Sequence, residues 1–131
     1  MENLNTITYN KANPKSEKHE FFLFDNAGAK IGGTRLEYYS HPYPIYILKR
    51  IEVEASNKNV GNGRQVMERV NQFLTNKKTP GVLRPFHSAE EFYKKLGWTK
   101  YGDKDLYFFG SLTDKEKERV STEIYFRLKT F

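Results

Sequence analysis

The stretch from Val53 to Leu74, VEASNKNVGNGRQVMERVNQFL, constrains this chain more than any other. Ahead of it, Ile45, Ile47, Leu48, Ile51 and Val53 form a dense, largely β-branched apolar run, as a buried strand requires. Beyond Gly63 the apolar residues are Val66, Met67, Val70, Phe73 and Leu74, at offsets of one, four, seven and eight from the first, which is one face of a helix. A strand is therefore joined to a helix through the polar turn Lys58-Asn59-Val60-Gly61-Asn62-Gly63. Glycine permits positive φ and close backbone approach, and the first N–H groups of a helix have no internal acceptor. Such a turn presents converging donors and a partial positive charge, which suits an anion and above all a pyrophosphate.

Two common phosphate-binding patterns fail here. A P-loop needs Lys and then Ser or Thr after its last glycine, whereas Arg64 and Gln65 follow Gly63. A dinucleotide fingerprint needs a third glycine at position 66, where Val66 stands.

In chain order, Thr6-Ile7-Thr8-Tyr9 reads as a first strand, followed by the polar loop NKANPKSEK. HEFFLF (19–24) and AKIGGTRLEYY (29–39) read as a hairpin around Asp25-Asn26-Ala27-Gly28. Gly32-Gly33 within it predicts a bulge or a close backbone approach. His41-Pro42-Tyr43-Pro44 interrupts the pattern, and Ile45 to Glu54 forms the fourth strand.

After the central helix, Val82-Leu83-Arg84 is a short strand. Ser88 with Glu91 has the form of a capping box for a helix carrying Ala89, Phe92, Tyr93 and Leu96 and stopping at Gly97. Residues 100–109 read as a last hairpin. Thr113 with Glu116 caps a tail read as helix over 114–131, with a strand as the alternative because Ile124, Phe126 and Leu128 alternate.

Two segments together carry a resemblance. Lys58, Gly61 and Gly63 resemble the R/Q-x-x-G-x-G/A motif of the GNAT superfamily of N-acetyltransferases, with Val53 at the place of that family's strand valine. About thirty residues on, AEEFYKKLGW resembles the family's A-x-x-x-Y-x-x-x-G-F segment, with Trp98 for Phe. Lys58 departs from the usual Arg or Gln and lacks their planar fork. The resemblance spans residues 45–109 and implies an α/β (α+β) fold, with a mixed, mostly antiparallel sheet of six to seven strands flanked by helices. It implies one domain over residues 1–131 that transfers an acetyl group from acetyl-CoA to a primary amine. Family members place two helices between their first two strands, for which this chain has little room, leaving the acceptor side open or built by a partner chain.

On that resemblance, Ile51, Val53, Lys58, Asn59, Val60, Gly61, Asn62, Gly63 and Arg64 bind the cosubstrate, with a backbone N–H of the Ile51–Val53 segment facing the oxyanion. Tyr93 takes the place of the general acid that protonates the leaving thiolate. Glu52, Glu54 and His87 are base candidates, and a chain of water molecules can replace them. Each has a plainer reading: Tyr93 as a core aromatic, the glutamates as exposed strand residues, His87 as a loop histidine.

Composition excludes several alternatives. There is no cysteine, hence no disulfide and no acyl-cysteine intermediate, and His19, His41 and His87 lack metal-ligand spacing, so no metal is expected. No run approaches a membrane span and the N-terminus lacks a signal pattern, so the expectation is a cytoplasmic protein with a small-molecule or peptide amine as partner, and a homodimer allowed. A net charge of +6 and 15% aromatics also suit a basic RNA- or protein-binding module, but no RNA-binding motif is present and nucleic acid is not expected. A non-catalytic acyl-CoA sensor on the same fold is the other alternative.

Overall fold

A computed structural model of the chain describes residues 6–11, 18–41, 43–53, 61–102 and 105–124. Its seven strands are β1 (Thr6–Lys11), β2 (Lys18–Phe24), β3 (Lys30–Tyr39), β4 (Ile45–Val53), β5 (Gly81–Leu83), β6 (Thr99–Tyr101) and β7 (Leu106–Phe109). Three α-helices, α1 (Asn62–Lys77), α2 (Glu90–Lys95) and α3 (Asp114–Ile124), accompany them. The strands form one sheet in the order β1-β2-β3-β4-β5-β7-β6. Every pairing is antiparallel except β4 with β5, which α1 connects as a crossover helix must. This is the mixed, mostly antiparallel sheet that the resemblance implies. Among the described residues no helix is long and apolar enough to cross a membrane.

Strand alternation divides the core into two layers. Tyr46 and Leu48 of β4, Leu83 of β5 and Tyr107 of β7 face α1 and α2, where they meet Met67, Val70, Phe73, Leu74, Tyr93 and Trp98. Ile45, Ile47, Val82, Leu106 and Phe108 face the other way and pack with Val120 of α3. The helical face read from the sequence is the buried one: Val66, Met67, Val70, Phe73 and Leu74 all lie inside.

Two local expectations resolve into specific geometry. Opposite Leu23 and Phe24, β3 passes over Ile31, so a bulge falls immediately before the glycine pair. Gly33 itself is the close approach: a Cβ there would lie 2.6 Å from the Phe21 carbonyl oxygen. β1 reaches Lys11, beyond the expected Tyr9, because its whole length pairs with β2 from Thr6↔Phe24 to Lys11↔His19. Only residues 12–17 join these two strands, too few for a pair of helices.

The Ser88–Glu91 capping box does not form. A 3-10 turn, His87–Ala89, precedes α2, whose cap residue Ala89 has no side chain able to accept, and Glu90 instead bonds His87. The Thr113–Glu116 box does form, with Glu116 accepting from the Thr113 N–H at 2.8 Å and Thr113 Oγ1 from the Glu116 N–H at 3.1 Å. The tail is helical through Ile124, and residues 125–131, including Phe126 and Leu128, lie outside the described residues.

Trp98 shows why an indole can replace a phenyl ring at its position. Its Nε1–H donates to Asn71 Oδ1 on α1 at 2.8 Å, and Asn71 Nδ2 donates to the Leu96 carbonyl at 2.8 Å. Asn71→Ala strips a 2%-exposed indole of its acceptor. Denaturant unfolding of that variant is expected to show a loss of about 1–3 kcal/mol, with an unchanged m-value.

Candidate active site

The site is built around the point where β4 and β5 separate. Among the described residues the β4–β5 pairs are Tyr46↔Gly81 and Ile47↔Val82, after which β4 continues to Val53 while β5 ends at Leu83. Two local causes are visible. Arg35 faces Arg50 and Leu36 faces Leu48, so Lys49 is an extra residue that bends β4. Beyond β5, Pro85 has no N–H to continue a ladder. The crevice therefore opens at the carboxyl ends of two parallel strands whose chains both run on into helices, the place where such sheets bind ligands.

On the β4 side the chain enters α1 through Gly61, which has φ 85° and ψ 6°. That left-handed conformation is costly for a residue with a Cβ, although the space beside Gly61 is open. The cap residue Gly61 makes no side-chain cap hydrogen bond and the first turn of α1 carries no acidic residue, so no acidic group of that turn offsets the partial positive charge of the helix start. Asn62 is buried and Gly63 is half-buried. Arg64 points along the helix, its Nε donating to Glu68 Oε1 at 2.8 Å on the surface. Ile51 is half-buried against the α1-side core. Lys58, Asn59, Val60 and Glu54 lie outside the described residues, and for Glu52 and Val53 the description covers the strand but not the side chains.

On the β5 side stands Tyr93 of α2, 2% exposed and packed edge-on against Phe92. Its backbone carbonyl accepts from the N–H groups of Leu96 and Trp98, closing the helix ahead of Gly97, which has φ 89°. Among the described residues its hydroxyl has no hydrogen-bond partner. Burial pushes its pKa up to about 12, so the phenol holds its proton throughout the neutral range.

His87, the histidine candidate, is 82% exposed and its Nδ1 lies 2.9 Å from Glu90 Oε2. Glu90 gathers three elements around one carboxylate: it also accepts from the Tyr107 hydroxyl at 2.8 Å and lies 3.5 Å from Lys100 Nζ, which in turn lies 3.4 Å from Asp105. The His87 and Tyr107 hydrogen bonds, assisted by Lys100, lower the Glu90 pKa to about 2. Burial and the Glu90 bond raise Tyr107 to about 12. The possible ligand atoms of His87, Glu90 and Asp105 fall within 4.8 Å of one another, a grouping their sequence positions do not announce. The Lys100 ammonium already stands between the two carboxylates and supplies the positive charge they need. Sequence reading missed Glu90, Lys100, Asp105 and Tyr107; the one local signal was the three-residue spacing of His87 and Glu90.

The fold has known counterparts. It matches an acetyltransferase of the GNAT family from Staphylococcus aureus Mu50 at a TM-score of 0.59 and 18% identity, covering 71% of this chain and 67% of the other. It matches AtaTR bound with AcCoA at 0.60 and 18%, over 78% and 71% of the two chains. A mutant AtaT toxin bound to the C-terminus of the antitoxin AtaR matches at 0.63 and 14%, over 91% and 99%. No family model matches the sequence, and no curated protein matches it either. The chain has the GNAT acetyltransferase fold, which these comparisons establish at the level of architecture.

Because the Glu90 pKa is depressed, its contribution to stability is present above the ordinary carboxylate pKa and disappears as pH falls towards about 2. The difference in melting temperature between wild type and Glu90→Gln is therefore expected to be full at neutral pH and to shrink steadily below about pH 4. A difference independent of pH would show that the carboxylate charge is not what holds the cluster.

Proposed function

We propose that this chain is a GNAT-type N-acetyltransferase, one domain over residues 1–131, that moves an acetyl group from acetyl-CoA to a primary amine by direct attack. The observation that carries the reading is the crevice between β4 and β5, with an anion-suited helix start on one side and a buried phenol on the other. A neighbour of the same fold bound with AcCoA supports the choice of cosubstrate.

Acetyl-CoA supplies a thioester carbonyl and a pyrophosphate. The start of α1, with no acidic residue in its first turn and with Gly61 and Gly63 leaving room for close approach, suits the pyrophosphate, and Lys58, Asn59, Val60, Asn62 and Arg64 complete that anchor. Beyond Ile47, the edge of β4 that faced β5 has left the ladder, so its backbone groups can bond a ligand, and a Val53-side N–H can face the developing oxyanion. The ammonium of the acceptor loses one proton before attack. Among the base candidates His87 has the better described setting, since Glu90 at Nδ1 favours the tautomer whose Nε2 accepts; Glu52, Glu54 and water are the others. The nitrogen then forms its bond to the carbonyl carbon, the carbon–sulfur bond breaks, and Tyr93 hands its proton to the leaving sulfur. The second proton of the nitrogen restores the phenol. One proton thus ends on sulfur and one in solvent.

Acetyl-CoA at about a hundred times its dissociation constant is expected to stabilise the protein by roughly 2.7 kcal/mol, read as a rise in melting temperature. No rise at millimolar ligand would remove the proposal. Tyr93→Phe is expected to lower kcat about a hundredfold or more while leaving the thermal shift by acetyl-CoA intact. A variant with that shift and full turnover would take Tyr93 out of the acid role. A sensor would show the shift and no turnover in either form.

The pH profile is a further check. With its proton held to about pH 12, Tyr93 imposes no fall of kcat across the neutral and mildly alkaline range. A descending limb between about pH 8 and 10 that disappears in Tyr93→Phe would contradict this.

A further inference from the structure

A helix of six residues has little stability of its own, so α2 is held in place by what it touches. Its far end is tied to α1, since Asn71 Nδ2 donates to the Leu96 carbonyl at 2.8 Å. Its near end is tied by Glu90, the first helical residue, whose Oε1 accepts from the Tyr107 hydroxyl at 2.8 Å and lies 3.5 Å from Lys100 Nζ. Those two partners are neighbours in the sheet: Tyr107 of β7 pairs with Lys100 of β6 on one side and with Leu83 of β5 on the other. Leu83 is the last residue of β5, so Glu90 fastens α2 to the row of the sheet at which the crevice opens.

Tyr93 follows Glu90 by three residues, about one turn along the same helix. Its ring and that of Tyr107 belong to one core cluster. Its hydroxyl has no hydrogen bond of its own among the described residues, so where that oxygen stands is set by where α2 stands.

We propose that Glu90 is the positioning residue for Tyr93: by gripping the Tyr107 hydroxyl and the Lys100 ammonium it seats the first turn of α2 on the sheet, and so fixes the phenol on the β5 side of the crevice. The inference rests on the acetyl-transfer reading above, which gives no role to Tyr107 or Lys100 and uses Glu90 only through His87. A carboxylate suits the task because it accepts from both neighbours at once. Tyr107 suits it because its side chain is fully buried, so its hydroxyl has no exchange with bulk water to fall back on.

The test compares the full chain with Glu90→Ala, Glu90→Gln and Tyr107→Phe, by hydrogen exchange of single amides and by thiol release from acetyl-CoA with n-butylamine as the probe amine. The Leu96 and Trp98 N–H groups bond the Tyr93 carbonyl and report the seating of α2, while those of Val70 and Phe73 in α1 report the stability of the whole. In Glu90→Ala the first pair is expected to accelerate about tenfold more than the second. Its kcat is expected to fall about tenfold with the KM for acetyl-CoA within about twofold, and Tyr107→Phe is expected to lower kcat in the same direction. Glu90→Gln keeps an oxygen for the Tyr107 hydroxyl and is expected to hold kcat within about threefold of wild type. Equal acceleration of both amide pairs would make Glu90 a general stabiliser and overturn the proposal. A Glu90→Gln variant in which α2 stays seated but kcat falls as in Glu90→Ala would assign the carboxylate to His87 and overturn it as well. Wild-type kcat in Glu90→Ala would overturn it while sparing the acetyltransferase reading, whereas a wild-type chain that neither binds acetyl-CoA nor releases thiol would overturn both.

Discussion

The separation of β4 from β5 is the constraint on which the rest of this molecule depends. Two parallel strands share two residue pairs and then diverge, because an extra residue at Lys49 bends one and Pro85 ends the other's ladder. Divergence inside a sheet leaves polar backbone edges facing each other across a gap, a state that is costly unless water or a ligand fills it. The two helices complete the gap by opposite means. α1 contributes a start without acidic residues, reached through a left-handed glycine, and α2 contributes the largely buried Tyr93.

The sheet can hold this gap because its flanks are conventional. The hairpins β2–β3 and β6–β7 are paired along their described length, and alternation sends one set of side chains to α1 and α2 and the other to α3. Gly33 and Trp98 are the places of tightest fit, one by backbone contact and the other by the space it takes beside Gly81, where a Cβ would lie 3.0 Å from the indole. Gly33 pairs with Glu52 on the part of β4 that runs beyond its β5 pairs, and the Trp98 backbone N–H bonds the Tyr93 carbonyl, so the tight packing supports the strand and the helix that flank the opening.

Much of this was legible in the residues themselves. The period of Val66, Met67, Val70, Phe73 and Leu74 located the buried face of α1, and the β-branched run before Val53 located β4. Both signals are strong because solvent exclusion acts on many residues in phase. The cluster around Glu90 was not legible, since it joins a 3-10 turn, a helix and two strands that lie up to twenty residues apart, and no local period encodes such a meeting. The Ser88–Glu91 pair misled for the opposite reason. Its spacing satisfies a local rule, but the segment winds as a 3-10 turn, which makes Ala89 the residue that precedes α2, and neither the turn nor the helix has a side-chain cap. The side chains of Glu52, Val53 and Lys58 fall outside the described residues.

Asn71 joins parts of the molecule that the sequence keeps far apart. From the middle of α1 it holds the Leu96 carbonyl just past α2 and the indole of Trp98, each at 2.8 Å. The helix that begins at the anion-suited turn and the helix that carries Tyr93 are thereby braced by one amide. One side chain thus contributes to the spacing between the start of α1 and Tyr93. Under the function proposed above, a donor molecule would be measured from its phosphates to its sulfur, and a thioester on a shorter or longer carrier would present its reacting bond out of reach of the phenol.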